Sequence, residues 1–454
     1  MNITIKTTMF FFMSILLLVL GACKDDVKEE NIYDVPHSPN QSIVLENIEP
    51  QTGGYGSRIV VTGTNFGNDK SKIKLFFNKK EALVLKVQSN AIYAMVPKQP
   101  GELSTIRVKF QNSETSDPKE AELSDVQFKY NIRATVSTIA GVAGEAEVVD
   151  GTATEGKFAR PSKLDVDSLG NNIFVVDDRG GRIRHISVTD NKLTTILSGL
   201  GNPWDCNFNQ SYTQFYVGER DMKTKPLLFV GLDKASNWTE SDNFYDQRGA
   251  DNQYVAGSKH YYGLTTDDKY IYLLASFGER LVRMDQKTRR VELMGENLNI
   301  GDWANIVYNV KDKHIYVNSE TLGRIYRFDP HKEHEDDGKP WITYNDMEHV
   351  AGNGQQSTAI EGNGVFAQFG TLESIAADRE GNLYMPDFKN HVIWKMDEDY
   401  NCTIIAGVPG VKGYKDGKPE ESLFNSPYGI AATPDGIVYV ADTYNYVIRV
   451  IAIQ

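Results

Sequence analysis

A unit of about fifty residues recurs through the C-terminal part of this chain. Recurrence at that spacing restricts the fold more than any other property, because a unit too small for its own core must bury its apolar face on a neighbour. Three segments show it plainly: FARPSKLDVDSLGNNIFVVDDRGGRIRHI (Phe158–Ile186), FGTLESIAADREGNLYMPDFKNHVIWKM (Phe369–Met396) and FNSPYGIAATPDGIVYVADTYNYVIRV (Phe424–Val450). Each runs from Phe through a Pro or turn to an apolar strand, a Gly turn, a strand ending in Asp, a polar turn and a further strand. Before two of them lie VSTIAG (Val136–Gly141) and CTIIAG (Cys402–Gly407), each followed by a Gly-rich stretch with Asp-Gly, at Asp150-Gly151 and Asp416-Gly417.

Weaker copies fill the interval. One has Pro203–Phe208, Gln214–Glu219 and Leu227–Asp233; another Tyr262–Thr266, Tyr270–Ala275, Leu281–Asp285 and Val291–Gly295; a further one Trp303–Asn309, His314–Ser319 and Arg324–Asp329. Tyr439–Asn445 (YVADTYN) resembles the hallmark of the NHL repeat. Six copies of four strands imply an all-β, six-bladed β-propeller over residues 132–454, an architecture that leaves only short strand edges. The last copy stops at Ile453 after its third strand, while Val136–Ala140 is an orphan fourth strand. Pairing the two would close the ring.

Residues 42–131 alternate like short strands broken by turns. Ile48-Glu49-Pro50, Gly53-Gly54-Tyr55-Gly56, RIVVTGTNFG (Arg58–Gly67) and AMVP (Ala94–Pro97) resemble the IPT/TIG family of immunoglobulin-like domains. That likeness implies an antiparallel sandwich serving as a spacer or interaction module. No clustered carboxylates, His or Cys give it a chemistry.

The N-terminal residues 1–22 carry Lys6 and then the apolar run Met9–Leu20, too short to span a hydrocarbon core of about 30 Å. The run ends in Leu20-Gly21-Ala22-Cys23, which resembles the lipobox of bacterial lipoproteins and makes Cys23 the expected lipidation site. Lys24-Asp25-Asp26 then resembles the acidic export tag of lipoproteins displayed on the outer face of the outer membrane. Residues 23–41, polar and with Pro36 and Pro39, read as a flexible tether.

Composition removes other classes. Aromatic residues at 11% and apolar residues at 40% exclude a disordered chain. A net charge of −13 argues against nucleic acid, whose phosphates need a basic face. Three cysteines in 454 residues exclude a disulfide framework, and Cys206 and Cys402, far apart around the ring, are expected to be reduced and buried. There is no G-x-S-x-G, H-E-x-x-H or GK[ST] motif. His185 and His391 occupy similar structural positions, His331 and His334 fall in a charged insertion, and the recurrent Asp177, Asp387 and Asp442 read as turn caps. No catalytic residue, metal or cofactor is expected.

The loop entering the innermost strand of a blade and the loop between its second and third strands share one face. At the first position the copies carry Ser162, Trp204, Tyr262, Trp303, Glu373 and Tyr428; the second adds Arg179, Arg220, Phe277, Phe388 and Tyr444, with Lys163 and Asp205 nearby. Aromatic faces take the C–H faces of sugar rings while Asp, Glu and Arg take the hydroxyls. Trp204, Tyr262, Trp303, Tyr428, Phe277, Phe388 and Tyr444, with Asp205, Glu373 and Arg220, are therefore the expected glycan-binding set. The domain combination resembles accessory lipoproteins of Sus-like glycan importers, which implies a carbohydrate ligand, a lipid anchor as the sole membrane contact and a TonB-dependent importer as partner. The alternatives are a propeller lyase or hydrolase acting on an extracellular substrate, favoured by three converging His or carboxylates, and a protein-binding scaffold, favoured by a flat face.

Overall fold

The computed structural model describes residues 35–453, except 55–56, 98–102, 112–118, 131–133, 220–226, 240, 246–254, 256–260, 276–279 and 336–337. Among the described residues, no helix is long and apolar enough to cross a membrane.

The first module is an eight-stranded sandwich. Its strands are Val44–Glu49, Thr52–Gly53, Arg58–Thr64, Ile73–Phe77, Lys80–Gln88, Ala91–Met95, Leu103–Phe110 and Lys119–Tyr130. Alternation places Ile73, Leu75 and Phe77 inward, where they meet Val61, Ile92, Ile106, Val108 and Phe128. Gly63 is required by close approach, since a Cβ there would sit 2.0 Å from the Val44 carbonyl oxygen. Pairing is antiparallel except between Thr52–Gly53 and Lys129–Tyr130, which run parallel. The stretch from His37 to Gln41, assigned to a tether by composition, is held on this module. Asn65 Nδ2 donates to the Ser38 and Gln41 carbonyls at 3.0 and 2.9 Å, and the His37 ring stacks on Phe110 at 3.8 Å.

The second module is a six-bladed propeller of antiparallel sheets. Blade 1 comprises Pro161–Val166, Asn172–Asp177, Arg182–Ser187 and Lys192–Ser198, with Gly151–Thr152 added outside. Blade 2 comprises Pro203–Phe208, Gln214–Glu219, Leu227–Asp233 and Ser241–Tyr245, which supplies the outer strand that sequence alone left obscure. Blade 3 is Tyr261–Thr266, Tyr270–Ala275, Arg280–Asp285 and Val291–Glu296; blade 4 is Ala304–Asn309, His314–Ser319, Arg324–Phe328 and Glu348–Ala351. Blade 5 is Ala376–Ala377, Leu383–Asp387, Val392–Met396 and Asn401–Ala406, with Gly362–Asn363 outside. Blade 6 is Gly429–Ala432, Val438–Asp442 and Val447–Ile453, completed by Ala134–Ala140 from the start of the module. The register of that last pair runs from Ile448 opposite Ala140 to Ile453 opposite Ala134, which is the closure the orphan strand requires.

Blades bury their apolar faces on each other. Between blades 6 and 1, Val166, Ile173 and Val175 pack with Ala431, Tyr439, Ala441 and Ile448. Innermost strands have a free edge, and side chains of the preceding blade satisfy it. The Phe208 amide donates to Asp165 Oδ2 (2.7 Å), the Leu264 amide to Asp205 Oδ2 (2.8 Å), and the Tyr308 amide to Thr265 Oγ1 (2.9 Å).

Each recurrent aspartate clamps the segment entering its own blade. Asp177 accepts from the amides of Ala159 and Arg160, Asp387 from Gly370 and Thr371, and Asp442 from Asn425. The buried third-strand residue then completes the clamp. Arg449 Nη1 donates to Asp442 at 2.9 Å, Trp394 Nε1 to Asp387 at 3.2 Å, and Arg184 lies 3.5 Å from Asp177. The charged insertion is anchored rather than merely solvated, with His331 Nε2 3.1 Å from Asp267 and His334 stacked on Trp341 at 3.7 Å. Cys206 and Cys402 are free, buried thiols, and burial pushes the Cys402 thiol up to about 12.

Candidate functional site at the channel mouth

The inner strands all run away from one face, so their first residues meet around the axis. Blades 2, 3, 4 and 6 deliver Trp204, Tyr262, Trp303 and Tyr428 there, and the loops after the second strands of blades 5 and 6 deliver Phe388 and Tyr444. These six rings form one continuous arc. Centroid separations are 6.2 Å for Trp303–Tyr262, 5.5 Å for Tyr262–Trp204 and 5.9 Å for Trp204–Tyr428. They continue at 6.1 Å for Tyr428–Phe388 and 6.0 Å for Phe388–Tyr444. Blade 1 contributes only the small Ser162, and Trp204 reaches across that gap to Tyr428 edge-on, at 90°.

The arc is not uniformly open. Trp303 and Tyr444 at its two ends are each 43% exposed, whereas Tyr262 is 4% exposed and works as packing behind Trp303. Trp204, Tyr428 and Phe388 are half-buried. Trp303 is held outward by its backbone. Its φ is +54°, a left-handed conformation that is costly for a bulky residue and that recurs at functional sites. The corner is built by Gly301, at φ +82°, and by Asp302, whose amide donates to Thr321 Oγ1 and whose carboxylate accepts the Trp303 amide, both at 2.8 Å.

Beneath the arc lies a polar floor. Lys163, 1% exposed, extends from blade 1 to donate to Asn305 Oδ1 of blade 4 at 2.8 Å and to the Glu373 carbonyl of blade 5. Its ammonium also lies 5.2 Å from the Tyr428 ring centroid, and burial pulls its pKa down despite Asp205 and Glu373 nearby. The buried Glu373 carboxyl is hydrogen-bonded to the Tyr428 hydroxyl and to the Glu320 carboxyl. Burial raises both carboxyls above the usual range. Arg160 makes a fork to Asp178 beside Tyr444.

Glu373 thus joins the aromatic set. Asp205 does not: its oxygens are taken by the amides of Cys206 and Leu264, and it lines the channel wall below Lys163. There the channel's other end opens into a cavity of about 350 Å³, lined by Asp165, Asn207, Gln210, Thr265, Tyr308 and Arg379 among others. Burial pushes Asp165 up to about 7 and Asp205 up to about 6. Cys23, Arg220 and Phe277 lie outside the described residues. Among the described residues, no three His, Cys, Asp or Glu side chains converge as metal ligands.

Glu320, Lys163, Asn305 and the Arg160–Asp178 pair are absent from the sequence-derived set. For Glu320 a signal exists, because the repeat position of Phe388, just after the second strand, passes through Glu320 in blade 4. Nothing in the repeat marks Lys163 and Asn305 as partners across the axis.

Fold and site together define a two-module all-β protein, an immunoglobulin-like sandwich joined to a six-bladed propeller with an aromatic-rimmed channel. Residues 44–130 match the IPT/TIG domain. A stretch of 98 residues, 21% of this chain, is 33% identical to the human NHL repeat-containing protein 2. The curated relatives are matched over only 7% and 14% of their own length. Among solved structures, a protein of unknown function from Bacteroides thetaiotaomicron VPI-5482 superposes with a TM-score of 0.63 at 25% identity, covering 92% of this chain and 100% of the other. An auxiliary nutrient binding protein from Bacteroides ovatus ATCC 8483 has the same fold, with a TM-score of 0.59 at 21% identity over 92% of this chain and 99% of its own.

Proposed function

We propose that this protein is a lipid-anchored binding protein of the outer-membrane surface that captures carbohydrate on the aromatic face of its propeller. The observation that carries this reading is the arc of six rings over a hydrogen-bonding floor. Exposed Trp303 and Tyr444 offer flat apolar faces at both ends, and half-buried Glu320 and Arg160 offer an acceptor and donors for hydroxyls. The LGAC sequence ending in Cys23 supplies the anchor, and the acidic residues after it the outward display. A fold shared with proteins described as auxiliary nutrient binding supports a role in ligand delivery, with a TonB-dependent importer as the partner. The test is a glycan array probed with the purified chain, set against Trp303→Ala and Trp204→Ala. Binding by the wild type that both substitutions abolish is expected; equal binding by all three would place any glycan site elsewhere.

A further inference from the structure

We propose that the cavity closed off beneath the Lys163–Asn305 contact is a second ligand site, separate from the aromatic mouth, and that it takes one neutral sugar ring or a polyol of that size. Asn305 lines the cavity and holds the Lys163 ammonium at 2.8 Å, which shuts its upper end. About 350 Å³ remains open below. That volume lies at the small end of ligand pockets, which span roughly 300–1,000 Å³, and suits a single ring rather than a chain. Protein interiors are otherwise close-packed. Here blades 5 and 6 present Ser374, Ala377 and Ala432, whose small side chains leave the space open, while blades 2 and 4 present Tyr212 and Tyr308.

The lining carries hydrogen-bonding groups that the protein itself does not use. Ser374 is 6% exposed, and its hydroxyl engages no partner among the described residues. Thr265, 2% exposed, accepts the Tyr308 amide at 2.9 Å and keeps its own hydroxyl hydrogen to give. Gln210 donates Nε2 to the Thr266 carbonyl at 2.7 Å, which leaves Oε1 as an acceptor. Such a mixture suits a polyol, because each hydroxyl both gives and takes a hydrogen bond. Tyr212 and Tyr308 add aromatic surface for ring C–H groups. The Tyr212 backbone is left-handed, at φ +54°, a costly conformation for a bulky residue and one that recurs at ligand sites. Charge favours a neutral ligand. Both oxygens of Asp165 already accept backbone amides, from Val166 and Phe208, and both of Asp205 accept those of Cys206 and Leu264. The Lys163 ammonium is engaged by Asn305 and the Glu373 carbonyl. An ion entering the cavity would shed its hydration with none of these buried charges free to pair with it. Arg379 and Asp268, also in the lining, are exposed and opposite in sign.

Saturation-transfer difference NMR titration of the full chain in detergent tests this, with the methyl glycosides of glucose, galactose, mannose and xylose as probes. Glucuronate and, at pH 6, glucosamine serve as the charged counterparts. At least one neutral glycoside is expected to bind about tenfold more tightly than either charged sugar. Ala432→Leu, which puts a branched side chain into the cavity, should abolish that binding. Ser374→Ala removes one hydroxyl without adding bulk and should weaken it about fivefold, so the test stands even where the larger substitution disturbs the fold. Three results overturn the proposal: no neutral glycoside binds, the charged sugars bind as tightly, or Ser374→Ala binds at wild-type strength. Each of them leaves glycan capture at the aromatic mouth standing. Binding in the cavity with no glycan held on the array would overturn the aromatic-mouth reading alone.

Discussion

Lys163 and Asn305 join opposite sides of the propeller, with Nζ of the first 2.8 Å from Oδ1 of the second. Blades 1 and 4 face each other across the axis, so this contact bars the channel between the aromatic mouth and the inner cavity. Its ammonium also stands against Asp205 and Glu373 in a region from which water is largely withdrawn.

Replacing Lys163 by Met keeps the unbranched stem to the position of Cε and removes the charged ammonium. Asn305 Oδ1 and the Glu373 carbonyl lose a donor, and Asp205 loses its opposing cation. Truncating one partner of a buried charge group costs about 3 kcal/mol. Urea unfolding should show that loss, and an unchanged midpoint would mean that the cross-channel contact contributes nothing.

Acid should stabilise this protein between pH 7 and about pH 5. Burial raises Asp165 to about 7, and Asp205 and Asp442 to about 6, from an unfolded value of 3.8. In that window the folded state binds more protons than the unfolded one, so unfolding free energy rises as pH falls. Together these groups contribute on the order of a few kcal/mol. His185 and His391, held below the usual imidazole value by burial, bind fewer protons folded than unfolded in this window and act in the opposite direction. Chemical unfolding at pH 5 and pH 7.5 should give the higher midpoint at pH 5; the reverse order would contradict the assignment.

Closure depends on Val136, which is 1% exposed and sits opposite Ile451. Val136→Asp buries an unpaired carboxylate at the seam and should cost about 3 kcal/mol or more. If the seam holds the ring, calorimetry will show the propeller melting as one unit at lower temperature. Melting of blade 6 alone, with the rest unchanged, would show that the ring stands without it.

Trp303 should display a conflict between stability and binding. Gly accepts a φ of +54° without the steric cost that Trp bears, so Trp303→Gly relieves roughly 1 kcal/mol of strain. The melting temperature should therefore hold or rise while glycan affinity falls. A drop in both would identify Trp303 as packing rather than platform.

Much of the fold can be read from the chain because its repeat registers are dense with signal. The Gly turn, the strand ending in Asp177, Asp387 or Asp442, and the closing strand Val136–Ala140 are each local patterns with a period. Blade 2 is less legible, since its outer strand Ser241–Tyr245 (SDNFY) lacks apolar alternation and is held by pairing with Leu227–Asp233. At the mouth, the repeat aligned the arc's residues but could not grade them. Tyr262 and Trp303 occupy the same repeat position, yet one is buried and the other exposed, because the left-handed corner at Trp303 turns that ring outward.

The sequence by itself determined the number of blades, the seam that closes them and the face on which aromatic residues collect. All three follow from periodicity, which depends only on backbone geometry and on the burial of alternate side chains. Tertiary structure alone decided that Glu320 and Glu373 come together, that Asp205 serves the wall, and that Lys163 meets Asn305, 142 residues away. Those outcomes depend on desolvation and on distances across the ring axis. Neither quantity exists for a residue until the blades have closed around it.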